Sequence, residues 1–361
     1  MPHPTMSNPA TTRSSGTAYK VPNTRLTGYL YILLTALVFS PLEPFSKMVA
    51  GDFAPLQFTT LRFFLGGLVL LPFAIHALNK AKRERGLDRI VVTKRDVFEI
   101  CMLGFLIATL AMTIYQNALK VVPASVAAVV LCTAPIFTAP LARLILGDRV
   151  GITRYFAIAI SLVGMLVVVT PLGEGISGLG FGMVLISTLI LGLYTVLSTG
   201  PVRKFSGIVV TSFSQMAGAL LTGIIVLLGN VGPIENLLHS NGLDFFAGIS
   251  LLAGFTTQNL PIMAYICFID SGVGYYFYMQ AIGTTSPTEA SLVYFLKIVI
   301  GPILSMILLS EVISARHWVG IIIVLIGFGI GILPGLLAEL RRARGQKPAA
   351  VNVESDVVLI G

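Results

Sequence analysis

The sequence predicts an all-α integral membrane protein with ten transmembrane helices, arranged as two inverted five-helix repeats. Three observations predict this fold. The 361 residues are 55% hydrophobic and only 11% charged, with a mean hydropathy of +0.89, whereas soluble domains are about 25% charged. Ten apolar stretches approach or exceed the roughly 20 residues that span a bilayer. The chain also matches itself without a gap at an offset of 163 residues.

Nine of the apolar stretches are placed by their length, and the eighth is placed by the repeat. A short apolar stretch at 245–255 competes with 260–282 for this position, and adding the offset to the third stretch, 97–119, gives 260–282. Residues 245–255 are too short to span, so we expect them at the membrane surface or in a re-entrant excursion within the long loop 230–259. The predicted spans are 27–49, 54–78, 97–119, 124–146, 152–171, 179–200, 207–229, 260–282, 287–310 and 316–337.

The repeat covers the later spans of both halves. Each half has five spans, an odd number, so the second half must enter the membrane in the opposite direction. We predict repeat 1 over residues 27–171 and repeat 2 over 179–337, between an N-terminal tail at 1–26 and a C-terminal tail at 338–361. Paired positions include Tyr115 with Tyr278, Leu146 with Leu309, Asp148 with Glu311, and Gly164 with Gly327.

Basic residues predict the orientation of the chain. Of the 24 Lys and Arg residues, 19 lie in the tails or in loops on one side of the predicted membrane, and Lys47, Lys120 and Arg316 lie near the other face. Because basic loops stay in the cytoplasm, both tails are predicted to be cytoplasmic, in a multi-pass protein of the cell membrane. This bias also accounts for the net charge of +8, so no nucleic-acid partner is expected.

The repeated segments resemble a known family. Residues 115–169, which begin YQNALKVVPASVAAVV, and residues 278–333 are similar to the EamA domain of the drug/metabolite transporter superfamily. The most specific elements are Asp148 and Glu311, which end spans 4 and 9 before a short loop and an aromatic-bearing span. This resemblance implies a ten-helix carrier with a central cavity between the halves and without nucleotide hydrolysis.

Charged residues inside the predicted spans indicate the functional site, because an ion in the hydrocarbon layer is costly unless it is paired or faces water. Glu43, Lys47, Arg62, Asp270 and Lys297 meet this criterion. Helix rise places Glu43 and Arg62 at similar depth in one hairpin, and Asp270 and Lys297 near the midplane in another. We therefore expect Glu43 to pair with Arg62, and Asp270 with Lys297. Lys47 is expected either to join Glu43 or to extend to the surface. Each pair fits either substrate binding or a purely structural salt bridge.

Polar residues on the same helix faces extend this candidate site. Helical spacing places a tyrosine beside Asp270 and another beside Lys297, and the repeat supplies a third tyrosine with two polar neighbours. These residues are candidate substrate contacts, with interfacial anchoring as the alternative for the tyrosines. They are Tyr115, Gln116, Asn117, Tyr278 and Tyr294.

Prolines and glycines mark positions where the helices are expected to bend. Each proline frees backbone carbonyls inside a span, which fits either a hinge for rocking or a static kink. The predicted hinge residues are Pro41, Pro44, Pro135, Pro140, Gly301 and Pro302. Gly327, Gly331 and Gly335 recur every four residues, a spacing suited to close contact with span 5 or with a second copy. Both a monomer and a homodimer therefore remain open.

These features favour a secondary carrier over an enzyme. The leading hypothesis is an exporter or exchanger of a small polar metabolite such as an amino acid, which works by alternating access in the lipid bilayer. Lys297 is expected to bind an anionic group, and Asp270 to bind an amine or carry a coupled proton. The alternatives are an importer, a lipophilic-cation or drug exporter, a non-transporting membrane subunit and a membrane-embedded lipid enzyme. No catalytic set, metal site or cofactor is expected, because no His, Cys or carboxylate cluster has suitable spacing.

Overall fold

The computed structural model of the protein describes residues 25–84, 92–147, 151–169, 177–241 and 244–343. Asp148, most of the two predicted tails and residues 170–176 lie outside these ranges. Within them the chain is helical and has no β-strand. The helices are α1 (Arg25–Phe39), α2 (Leu42–Met48), α3 (Pro55–Glu84), α4 (Lys94–Gly104), a π-helix (Phe105–Met112), α5 (Thr113–Val121), α6 (Ala124–Leu131), α7 (Ala134–Leu146), α8 (Ile152–Val169), α9 (Gly178–Leu197), α10 (Thr199–Phe205), α11 (Gly207–Gly229), α12 (Gly232–Ser240), a 3-10 turn (Asp244–Phe246), α13 (Leu260–Ala264), a second π-helix (Tyr265–Gly274), α14 (Tyr275–Thr284), α15 (Pro287–Ala290), α16 (Val293–Leu309) and α17 (Ala315–Ala343).

Seven helical stretches of the described chain are long and apolar enough to cross a membrane. Three shorter apolar helices, Tyr155–Val168, Leu296–Leu309 and Ala315–Gly327, lie where predicted spans 5, 9 and 10 were expected. Large apolar side chains face outward, as a bilayer requires, and Phe156 and Ile307 are examples, 63% and 67% exposed. The described part of the chain is therefore that of a helical integral membrane protein. The seven stretches are Leu26–Met48, Pro55–Arg83, Lys94–Val121, Ala124–Leu146, Gly178–Phe205, Gly207–Gly229 and Leu260–Thr284.

The structure confirms the eighth predicted span and describes the competing stretch. Leu260–Thr284 is helical throughout, whereas residues 245–255 contain only the end of a 3-10 turn and irregular backbone. Side chains from neighbouring elements hold this irregular backbone. The amide of Gln57 donates to the carbonyl of Ala253 at 2.6 Å, and the amide of Asn230 donates to Ile249 at 2.7 Å.

Two of the predicted spans are broken beside a proline. α1 ends at Phe39 and α2 begins at Leu42, and α6 ends at Leu131 before α7 begins at Ala134. Pro41 and Pro135 lie at these breaks, where a residue without an N–H group ends the ladder of helical hydrogen bonds. The last span differs from prediction at its end, because α17 continues to Ala343 instead of ending near 337. Its final residues, ELRRA, are good helix formers, and a basic end suits a helix C-terminus.

Two π-helices occur at corresponding positions of the repeated sequence. The first covers Phe105–Met112 and the second covers Tyr265–Gly274, and the offset of 163 maps the first onto residues 268–275. A π-helix has a wider turn than an α-helix and is frequent at functional sites. The second contains Asp270, so its wider turn sets the direction of a predicted site residue.

The closest helix contact that involves the last span is a glycine seam between α8 and α17. We use this name for the contact made by Gly164, Gly320 and Gly327. A side chain at Gly327 would lie 2.6 Å from Ser161 Oγ, and one at Gly164 would lie 2.8 Å from the carbonyl of Gly320. Gly327 therefore contacts span 5 within the same chain, which was one of its two predicted roles. Gly331 and Gly335 lie further along α17, and the structure does not describe their contacts.

Candidate functional site

Glu43 is positioned by the break between α1 and α2. Pro41 precedes α2, and Glu43 lies in the first turn of this seven-residue helix. Its side chain is fully buried. The Glu43 carboxylate accepts hydrogen bonds at Oε1 from Lys297 Nζ at 2.6 Å and from the Tyr115 hydroxyl at 2.8 Å. Glu43 therefore joins three helices, because Tyr115 lies on α5 and Lys297 on α16.

Arg62 and Asp270 form a second buried ion pair. Arg62 lies in the first third of α3, and its Nη2 donates to Asp270 Oδ2 at 2.7 Å. Its Nε donates to the hydroxyl of Ser271 at 2.9 Å, so the guanidinium is bound by two consecutive residues of the second π-helix. The ring of Phe63 lies 4.8 Å from Arg62 Cζ and adds a cation–π contact. Both charged side chains have an exposure of 0%.

These partners correct the predicted pairing. We expected Glu43 with Arg62 and Asp270 with Lys297, whereas the structure pairs Glu43 with Lys297 and Asp270 with Arg62. Depth along a hairpin was estimated from sequence, but the partner depends on which helices pack together. α16 packs against α1 and α2, and α3 packs against the second π-helix, so each acid meets a base from a distant part of the chain.

The four residues Glu43, Arg62, Asp270 and Lys297 form one group, which we call the charge cluster. Asp270 interacts electrostatically with Glu43 and Lys297 as well as with Arg62. Two acids and two bases give a formal charge of zero, which is the arrangement that makes burial of ions tolerable. The pairing is incomplete, because Glu43 Oε2, Arg62 Nη1 and Asp270 Oδ1 are buried without a hydrogen-bond partner. Each such atom costs about 1–3 kcal/mol.

Lys47 neither pairs with Glu43 nor extends freely to the surface. Its Nζ donates to the carbonyls of Leu119 and Val122, at 2.6 and 3.1 Å, where α5 ends. A cation at a helix C-terminus satisfies carbonyls that have no partner within the helix. Glu311 caps the start of α6, because its two carboxylate oxygens accept hydrogen bonds from the backbone N–H groups of Ala124 and Ser125, at 2.9 and 3.1 Å.

The predicted polar contacts fall into two groups. Tyr115 is fully buried against Glu43, so it belongs to the charge cluster's surroundings and is not an interfacial anchor. Gln116 donates weakly to Ser46 Oγ at 3.3 Å, and Asn117 donates to the carbonyl of Thr113 within its own helix. These two residues therefore contact neighbouring protein atoms instead of the charges.

Tyr278 and Tyr294 lie in a buried aromatic group. The Tyr278 hydroxyl is 2.6 Å from Thr195 Oγ1, and the Tyr278 and Tyr294 rings are 6.0 Å apart. Phe39 links this group to the cluster, because its ring lies 6.2 Å from that of Tyr278 and 5.9 Å from Lys297 Nζ. The repeat counterparts Tyr115 and Tyr278 thus take different partners, an acid and a threonine.

The predicted hinge residues do not all lie at helix breaks. Pro41 and Pro135 do, while Pro44 and Pro140 lie inside α2 and α7. Gly301 and Pro302 lie within α16, which is continuous. A side chain at Gly301 would lie 3.3 Å from Ala128 Cβ, so this glycine permits close packing of α16 on α6.

Sequence reasoning missed two neutral residues, of which Ser271 contacts the ion pair and Gln215 contacts Ser271. Ser271 accepts from Arg62, and Gln215 Nε2 donates to the Ser271 carbonyl at 2.6 Å. Both are fully buried. The position of Gln215 could have indicated a polar contact, because a buried amide in the middle of an apolar span is costly without a hydrogen-bond partner.

Comparison with known proteins identifies the family. The EamA-like transporter family matches the chain twice, over residues 26–170 and 178–332. The chain belongs to the EamA-like transporter family. An uncharacterized transporter of Clostridium kluyveri is 30% identical over 308 residues, which are 83% of this chain and 91% of that protein. A solved crystal structure that is 17% identical has a TM-score of 0.61 and covers 87% of this chain and 99% of its own, so it shares the fold.

A more distant relative carries a more specific name. An S-adenosylmethionine uptake transporter of Rickettsia felis is 28% identical over 149 residues, which are 41% of this chain and 47% of that protein. The family match and the transporter relative from Clostridium kluyveri show that this protein is a multi-pass membrane transporter of a small molecule, and not an enzyme. Among the described residues, no three His, Cys, Asp or Glu side chains are grouped as a metal site would require.

Proposed function

We propose that the protein is a ten-helix carrier with two inverted five-helix repeats, over residues 27–171 and 179–337, and with both termini in the cytoplasm. The two family matches, at 26–170 and 178–332, support the repeat boundaries. Three apolar helices at the expected positions complete the seven long stretches to ten. The basic residues on one side of the membrane support the orientation and a place in the cell membrane.

The charge cluster is the proposed substrate site. One observation carries this proposal: three of its four members keep a fully buried polar atom that has no hydrogen-bond partner, namely Glu43 Oε2, Arg62 Nη1 and Asp270 Oδ1. Native proteins rarely leave such atoms unpaired, so each is a position where a polar substrate atom gains a bond. Buried charges near the middle of a membrane protein are also the expected place for a carried substrate.

A small zwitterion such as an amino acid suits this site best. Its carboxylate would bind Arg62 Nη1 and the two free donor positions of Lys297, while its amine would bind Asp270 and Glu43. The cluster has no formal charge, so a zwitterion leaves the buried net charge at zero, whereas a simple cation or anion changes it. Two bases in the site therefore disfavour a lipophilic-cation exporter.

The proposed activity is export or exchange by alternating access, with proton coupling through Asp270 as a further proposal. Uptake is a second candidate, since the relative from Rickettsia felis is named as an uptake transporter. S-adenosylmethionine carries an amino-acid group, so that name agrees with a zwitterionic head group at the site.

Purified protein tests the substrate class directly. A ligand that binds the folded state raises its Tm, so the twenty standard amino acids are screened against matched primary amines and carboxylic acids. We expect stabilisation by at least one amino acid and by neither of its single-charge analogues. Liposome flux of that amino acid, with and without a pH gradient, then measures proton coupling. Stabilisation by the amine alone would exclude the zwitterion.

A further inference from the structure

Gln215 presents a buried acceptor beside the Arg62–Asp270 pair. Its Nε2 donates to the carbonyl of Ser271, which can only accept, so the amide orientation is fixed by chemistry. Its Oε1 consequently points elsewhere, and it is buried with no hydrogen-bond partner. A side chain at Gly66, one turn from Arg62 on α3, would lie 3.0 Å from this oxygen and 2.9 Å from Ser271 Cβ. The acceptor therefore lies against α3, one turn along that helix from Arg62, where α3 packs against α11 and the second π-helix.

Most of the unpaired atoms near the charge cluster are hydrogen-bond acceptors. Each carboxylate uses one oxygen for its base, Glu43 through Oε1 and Asp270 through Oδ2, and leaves the other oxygen unpaired. With Gln215 Oε1, three buried acceptors are free, while Arg62 Nη1 is a free donor. A primary ammonium group has three N–H donors. The number of free acceptors equals the number of donors on that group.

We propose that the site selects substrates with a primary ammonium group, and that Gln215 is a specificity-determining residue for it. Asp270 Oδ1, Glu43 Oε2 and Gln215 Oε1 each accept one N–H, and Arg62 Nη1 binds the carboxylate. The inference rests on the proposed function of the charge cluster as an amino-acid site. It adds a requirement that the proposed function lacks, because N-methylated amino acids have the same charges but fewer N–H donors.

A methylation series tests this requirement at constant charge. Liposome flux is measured for the amino acid that stabilises the purified protein most, in its free, N-methyl and N,N-dimethyl forms. Loss of one hydrogen bond to a charged group corresponds to about a tenfold to hundredfold loss of kcat/KM for each methyl group. Equal kcat/KM for a free amino acid and its N-methyl form would overturn the inference and leave the zwitterion proposal intact. Failure of every standard amino acid to stabilise the protein or to be transported would overturn both.

The variant Gln215→Met tests the residue. It removes one acceptor, so two remain for the two N–H donors of an N-methyl substrate. We expect the preference for the free over the N-methyl form to fall to about twofold or less, while the preference over the N,N-dimethyl form persists. General damage lowers flux for all forms alike, so the ratio of kcat/KM values isolates specificity. Thr222→Val is the control, since Thr222 is buried on the same helix but is bonded to Thr109. A wild-type ratio in Gln215→Met would contradict the assignment.

Discussion

The charge cluster and the glycine seam are both buried contacts between the two matched copies, but only the seam contains a pair of repeat counterparts. Gly164 and Gly327 are counterparts at the 163-residue offset, and each lies against the helix that carries the other. Asp270 and Lys297, in contrast, correspond to Ile107 and Ala134. The close glycine packing uses the same residue type in both copies, whereas the charged residues of the second copy correspond to apolar residues in the first. The repeated positions build the scaffold, and the unrepeated ones distinguish the two faces of the site.

The largest effect is expected from breaking one ion pair. Asp270→Asn leaves Arg62 buried without its counter-ion, which lowers the free energy of unfolding by about 3–5 kcal/mol. Transport should fall by more than tenfold in the fraction that remains folded. Thermal unfolding and liposome flux measure the two effects. The control is Glu99→Gln at an exposed helical pair with Arg95, where about 0.5 kcal/mol or less is expected. Equal effects of both substitutions would show that burial is unimportant.

Double variants test which residues are paired. If Glu43 and Lys297 form one pair, Glu43→Gln with Lys297→Met should be more stable than the sum of the single effects by about 2–3 kcal/mol. The mismatched double variant, Glu43→Gln with Arg62→Met, breaks both pairs and should be close to additive. Thermal unfolding of the unaltered protein, the three single variants and the two double variants gives both coupling energies. A larger coupling for the mismatched pair would favour the pairing that hairpin depth predicts.

The seam should respond to side-chain size and not to charge. Gly327→Leu forces α17 away from Ala157 and Ser161, and we expect a loss of about 1–3 kcal/mol in stability. Gly329→Leu is the matched control, because no atom lies within 4 Å of a side chain at that glycine. Flux per folded molecule should change little in either variant. An equal loss of stability in both variants would argue against close packing at Gly327.

The smallest effect is expected from Glu311→Gln. Glu311 is charged like the cluster residues, but it stands at a repeated position like Gly164 and Gly327, so it tests which of the two properties marks a functional residue. Glu311→Gln keeps one acceptor for the start of α6, so we expect a loss of about 1 kcal/mol, in the range of helix caps. Thermal unfolding measures this loss. The ranking of amino acids by kcat/KM should remain that of the unaltered protein. A changed ranking would place Glu311 with the functional residues instead of the scaffold.

The sequence predicted the members of the charge cluster but not their partners. The cost of a buried ion identifies Glu43, Arg62, Asp270 and Lys297, together with Lys47, from their positions within apolar spans. The repeat identifies 260–282 as a span, and the structure has an apolar helical stretch there, Leu260–Thr284. Partners depend on the rotation and packing of whole helices, which span counting does not determine. The π-helix adds to this, because its extra residue per turn changes the direction of Asp270 and Ser271 relative to an α-helix.

Gln215 was missed for a different reason. Neutral polar residues such as Thr211, Ser212 and Ser214 surround it on α11, and most of these bind a carbonyl one turn away or on a neighbouring helix. Only the contact with Ser271 distinguishes the amide from these neighbours, and that contact joins residues 56 positions apart. Distances of this kind exist only in the folded chain.

The long sequence separation of the ion pairs has a consequence for biosynthesis. Glu43 and Lys297 are 254 positions apart, and Arg62 and Asp270 are 208 apart. While the ribosome is still making the second copy, Glu43 and Arg62 are already in or near the membrane without these partners. The nascent first copy must therefore stay in contact with water, the insertion machinery or itself until residue 297 has been inserted. A chain that is truncated before this point carries unpaired intramembrane charges, which gives quality-control proteases a physical basis for distinguishing it from the complete transporter.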